Sequence, residues 1–127
     1  MNKEYLIQVA ICDYLKHKYP DVEFRSDLGG IRLTIGPARK IQRIQKQRAW
    51  PDLWISEARM GYHGLYLEIK KDRDELYTKE GKIRVNQHII EQWHMLKRLR
   101  ERGYMACFVC GLDHAIDTID WYLKGET

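Results

Sequence analysis

Asp52, Glu68 and Lys70 are the residues whose types and spacing best suit chemistry. They fall within the stretch 50–71, W-P-D-L-W-I-S-E-A-R-M-G-Y-H-G-L-Y-L-E-I-K-K, which reads as two short strands over 53–56 and 65–70 joined by a Gly-rich turn. In the second strand Leu65, Leu67 and Ile69 point one way, and Tyr66, Glu68 and Lys70 the other. A carboxylate and an ammonium therefore stand on one face. If the strands pair, Asp52 at the mouth of the first reaches the same spot. Two carboxylates with a lysine beside them suit a divalent cation and the cleavage of a phosphodiester. The plain alternative is a solvent-exposed Glu–Lys pair worth about 0–1 kcal/mol.

The elements that must position these groups can be read in order. Asn2 is a fitting cap for a helix over 3–19, closed by Pro20. Its apolar stripe falls on Leu6, Val9, Ala10, Ile11, Tyr14 and Leu15, and Glu4 and Gln8, four apart, share a face beside it. A polar pair there is ordinarily solvent-exposed. Residues 22–26 suit a short strand, 27–30 a turn, and 31–35 a strand or extended loop broken by Gly36-Pro37. Residues 38–47 suit a short basic helix, and 72–82 an exposed loop. Asn86 caps a helix over 87–102, which Gly103 ends. The apolar run 104–110 reads as a buried strand, parallel to a neighbour. A last helix covers 112–123. This order suits an α/β fold, a mixed sheet flanked by helices.

The chain has 127 residues, enough for one domain spanning 1–127. Its formal net charge is only +4, but the charge is unevenly placed. Between 28 and 51 lie Arg32, Arg39, Lys40, Arg43, Lys46 and Arg48 with no acidic residue. Such a segment suits phosphate backbones, or simply a solvated face. Cys107 and Cys110 form a C-x-x-C within an apolar run, without a second ligand pair, so buried free thiols are expected. The histidines show no ligand spacing. Trp50 and Trp54 read as hairpin packing in preference to base stackers. No apolar run approaches membrane-spanning length and no secretory segment opens the chain, so a cytoplasmic protein is expected.

Pro51-Asp52, Glu68-Ile69-Lys70 and a helix headed by Gln87 together resemble the PD-(D/E)xK nuclease superfamily. More narrowly, the chain resembles the virus-type replication-repair nuclease (VRR-NUC) family, whose short stand-alone members occur in phages and bacteria. The likeness extends to Glu4, Ile7 and Gln8 in the first helix, to Arg25, Ser26, Gly29 and Gly30, and to the tail from Gly103. The family commonly has Gly and a small aliphatic residue before Pro-Asp, where this chain has Ala49-Trp50. Pro20-Asp21 and Glu80-Gly81-Lys82 repeat the short motifs without a paired hairpin to support them.

The resemblance implies Mg²⁺ or Mn²⁺ held by Asp52 and Glu68 with the carbonyl of Ile69, and Glu4 reaching the metal through water or a second ion. It implies that Lys70 orients the attacking water and that Gln87 supports Lys70. Arg25 and Ser26 would hold a phosphate beside the site, while Arg39, Lys40, Arg43, Lys46 and Arg48 bind the backbone regardless of sequence. Gln8 is the weakest of the candidates. The function implied is a metal-dependent endonuclease on branched DNA such as four-way junctions, acting as a homodimer in the cytoplasm of a bacterium or phage-infected host. Two rivals remain at this level: a non-catalytic basic nucleic-acid-binding module, and a sequence-specific restriction-type nuclease.

Overall fold

A computed structural model describes residues 2–27 and 34–125. Five helices and four strands are described: α1 (Lys3–Lys18), β1 (Phe24–Ser26), α2 (Ile35–Ile44), β2 (Leu53–Ile55), β3 (Leu65–Lys70), α3 (Arg73–Leu76), α4 (Gln87–Glu101), β4 (Met105–Cys110) and α5 (Leu112–Lys124). Asn2 caps α1 by accepting the N–H of Glu4 at 2.8 Å, and Asn86 caps α4 by accepting that of Ile89 at 2.9 Å.

The strands form one sheet in the order β1-β2-β3-β4. The first two pairings are antiparallel and β3–β4 is parallel. A parallel pair needs a crossover, and α4 supplies it. The alternation expected of β3 holds. Leu65, Leu67 and Ile69 meet Ile11 and Leu15 of α1, and Ala115, Ile119 and Tyr122 of α5, all at most 1% exposed. Truncating one of these aliphatic side chains to Ala would cost about 2–5 kcal/mol. On the opposite face, Met95, Leu96 and Leu99 of α4 pack on Ala106, with Tyr66, Tyr104 and Phe108 beside them.

Four local expectations are revised. The inward stripe of α1 is Glu4, Gln8, Ile11 and Leu15, with Gln8, Ile11 and Leu15 buried, while Leu6 and Val9 are 50% and 37% exposed. The basic helix runs 35–44 instead of 38–47, because Pro37 fits a first helical turn, where its missing N–H costs nothing. The loop 72–82 contains α3, capped by Asp72 accepting the N–H of Glu75 at 3.1 Å, with Leu76 buried. Strand β1 starts at Phe24, two residues later than expected. Residues 28–33, with Gly29, Gly30 and Arg32, lie outside the described residues.

Candidate active site

Two acids meet because of strand register. Leu53 pairs with Leu67, so Asp52, one residue earlier, comes opposite Glu68 and on its face. Pairing between β2 and β3 stops there, leaving the N–H of Ile69 without a strand partner on that side. The Asp52 carboxylate takes its place, with Oδ2 accepting that N–H at 2.8 Å. The chain on either side is also held. The Asp52 carbonyl accepts from the N–H of Asp27 at 2.8 Å and from Ser26 Oγ at 3.2 Å. Upstream, Ala49 takes a left-handed backbone (φ 72°), and Trp50 precedes a proline, which favours extended backbone. A glycine would take this left-handed turn without the strain that the Cβ of Ala49 brings.

Asp52, Glu68 and Lys70 are 8%, 3% and 3% exposed, so the simple picture of a surface ion pair fails. The Glu68 carboxyl is raised well above its ordinary value, first by burial, then by its hydrogen bond with Asp52 and the Asp52 charge; only Lys70 opposes this. Glu4, half-buried at the start of α1, is raised as well, first by burial and then by the charges of Glu75 and Asp52. Acids thus converge with too little positive charge between them.

The ammonium is held on the other side. Lys70 Nζ donates to Gln92 Oε1 at 2.6 Å, and Gln92 Nε2 lies 3.0 Å from His88 Nε2. An amide NH₂ only donates, so the ring nitrogen accepts, placing the imidazole proton on Nδ1. Lys70 Nζ also lies 5.8 Å from the centre of the Phe108 ring.

Among the described residues, no three His, Cys, Asp or Glu side chains form a ready-made metal cluster. The donor set nonetheless fits Mg²⁺ or Mn²⁺. Such ions take one or two carboxylates and keep several waters. Two acids pressed together, with the charge of Asp52 disfavouring that of Glu68, are the arrangement a hard cation relieves. Along a strand the N–H and C=O of one residue point to the same side. With the Ile69 N–H on Asp52 and the Lys70 carbonyl bonded to Gly111 on the β4 side, the Ile69 carbonyl also points toward Asp52.

The structure therefore brings together Asp52, Glu68, Lys70 and the backbone of Ile69, with Glu4 within electrostatic range. It does not bring Gln87 to Lys70. Gln87 is exposed and donates to Glu91 at 3.0 Å, while Gln92 contacts the lysine. The head of α4 points to solvent, and the lysine meets the helix on its second turn. Gln8, expected in solvent, is 9% exposed and donates to Ser26 Oγ and to the Asp27 carbonyl, both at 2.6 Å. It braces the segment that holds Asp52. Ser26 contacts these groups, whereas Arg25, on the opposite face of β1, lines a groove with Lys46. Arg39, Lys40 and Arg43 stand exposed on α2, and Arg48 lies 3.9 Å from Glu91. Sequence reading also misses Glu75 and His88. The spacing of Glu4, Gln8, Ile11 and Leu15 is a usable signal, since it is an inward helical stripe whose first members are polar.

No protein-family model matches the chain, and no curated protein matches it. A solved structure named VRR_NUC domain protein is similar at a TM-score of 0.68 and 25% identity, covering 99% of this chain and 93% of the other. The mixed four-stranded sheet flanked by helices is an α/β fold of the PD-(D/E)xK nuclease kind. The likeness supports the narrower VRR-NUC fold, and with it a nuclease domain. Among the described residues, no helix is long and apolar enough to cross a membrane.

Proposed function

We propose that this protein is a divalent-metal-dependent endonuclease acting on DNA. The observation that carries this reading is the buried pair Asp52–Glu68, with the Glu68 carboxyl raised, beside an ammonium fixed by Gln92. Asp52, Glu68 and the Ile69 carbonyl would hold Mg²⁺ or Mn²⁺, and Glu4 would act from farther out. The metal supplies charge stabilisation at the scissile phosphate and acidifies a bound water. Lys70 orients the attacking water and opposes the charge that builds on the phosphate. Gln92 positions the lysine, and Gln8 and Ser26 position the Asp52 segment. Exposed cations on α2, together with Lys46 and Arg48, hold the phosphate backbone without reading bases.

We further propose branched DNA, such as a four-way junction, as the substrate and a homodimer as the working form. The described residues form no separate base-reading module, so selectivity rests on substrate shape, and two symmetric sites match a two-fold junction. The test is cleavage of junction, flap and linear duplex DNA with Mg²⁺, Mn²⁺ or EDTA. Metal-dependent nicking of the branched forms that Asp52→Asn abolishes, while binding persists, is the expected result. Binding without cleavage under any metal would instead identify a non-catalytic binding module. Discrete bands from linear duplex would identify a sequence-specific enzyme.

A further inference from the structure

Helix α4 covers the β4 side of its sheet face, and aromatic rings line the rest. A groove of about 690 Å³ there is lined by Arg25, Ile41, Lys46, Trp50, Trp54 and Tyr66, among others. Trp54 lies parallel to Tyr66, with ring centroids 5.8 Å apart and planes 7° apart, and Trp50 leans on the same tyrosine at 6.2 Å and 46°. Tyr104 meets Tyr66 edge-on at 5.3 Å, which fixes the phenol from below. A Cβ on Gly64 would sit 3.3 Å from Trp54 Nε1 and 2.9 Å from the Ile55 carbonyl, so this glycine lets the indole lie close against the strand. Both tryptophans are 38% exposed, packed on Tyr66 yet reachable from solvent.

The groove lies next to the acid site along the chain. Tyr66 precedes Glu68 by two residues on the same strand face, roughly 7 Å along the strand, and Pro51 of the groove adjoins Asp52. That distance is within the reach of one nucleotide. The volume suits one nucleotide, whereas base pairs inside a duplex are already stacked on both faces. Arg25 and Lys46 supply positive charge at the rim.

Resting on the nuclease reading above, we propose that this groove takes an unpaired nucleobase of the DNA beside the phosphate to be cut. The base stacks on Trp54, with Trp50 at its edge, and Arg25 and Lys46 hold its phosphates. Aromatic stacking is tolerant of base identity. The groove therefore selects for unpaired nucleotides, as at a flap, a frayed end or the centre of a junction, and not for sequence.

The test is binding in EDTA, where no cutting occurs. Oligonucleotides carrying 2-aminopurine, in a fully paired duplex or opposite no partner, are titrated with protein while quenching and anisotropy are read. The expected result is quenching of the unpaired probe only. Trp54→Ala should weaken binding of unpaired DNA by about five- to a hundredfold, leave duplex affinity unchanged, and be rescued by Trp54→Phe. If Trp54→Ala fails to fold by circular dichroism, Trp50→Ala, on the segment before β2, takes its place with a loss of at least about threefold on unpaired DNA only. Equal losses on both DNAs, or none, overturn the proposal. The nuclease reading is scored separately by metal-dependent cutting, so either can fail while the other stands.

Discussion

Two clusters around a carboxylate follow opposite electrostatic logic in this molecule. Asp120 of α5 accepts the hydroxyls of Tyr14 and Tyr19, both at 2.6 Å, and lies 3.6 Å and 3.9 Å from the ammoniums of Lys18 and Lys124. Burial alone would raise its carboxyl, but these hydrogen bonds and cations outweigh that and hold it below the ordinary value. Glu68 faces another carboxyl, and burial and repulsion raise it. One acid is complete within the chain and ties α1 to α5. The other is buried against a second acid, with Lys70 alone opposing the rise. A fold that surrounds one acid with donors and cations, and buries another against a second carboxyl, makes the second place a candidate binding site.

Variants can break this contrast, and the largest effect should come from the Asp52–Glu68 pair. Glu68→Gln and Asp52→Asn should each lower cleavage by at least about a thousandfold, measured as single-turnover nicking. Glu68→Gln should also raise the melting temperature of the metal-free protein at pH 7. The sign follows from linkage. An acid whose folded pKa is raised lends stability below its unfolded value, and that stability is lost as pH climbs through the folded pKa. Added Mg²⁺ should erase the advantage of the variant.

Next in size, Lys70→Ala should cost about a hundred- to a thousandfold in rate. Gln92→Ala should cost less and Gln87→Ala nothing, as measured by initial nicking rates. Asp120→Asn should leave cleavage intact but lower unfolding free energy by about 1–2 kcal/mol, read from urea denaturation. Its wild-type contribution is present above an unfolded value near 3.8 and is lost as pH falls through the lower folded pKa. The smallest effect concerns backbone strain: Ala49→Gly should stabilise by up to about 1 kcal/mol, visible as a slightly higher urea midpoint.

How much of this is legible in the sequence varies with the kind of signal. Strand alternation places Glu68 and Lys70 on one face, and the apolar run 104–110 announces a parallel strand, although β4 ends the described sheet and buries only Ala106 and Val109. The glutamine at the lysine is not legible. Gln87 and Gln92 both lie on α4, and only the docking angle of the helix decides which one meets β3. Gln8 defeats the rule that a polar residue near a helix start faces solvent, although its spacing with Ile11 and Leu15 points inward. The tryptophans read as packing, and the structure shows them packed on Tyr66 yet 38% exposed.

The bond from Asp52 to the Ile69 amide turns a backbone proton into a gauge. That N–H sits at the end of a buried strand and is held by a side chain instead of a neighbouring strand. Its exchange with heavy water should thus follow the charge and occupancy of the acid pair, slowing when a cation locks Asp52 and quickening when the Asp52→Asn substitution loosens that hold. A single resonance in a spectrum would then show whether the site is loaded before any strand is cut.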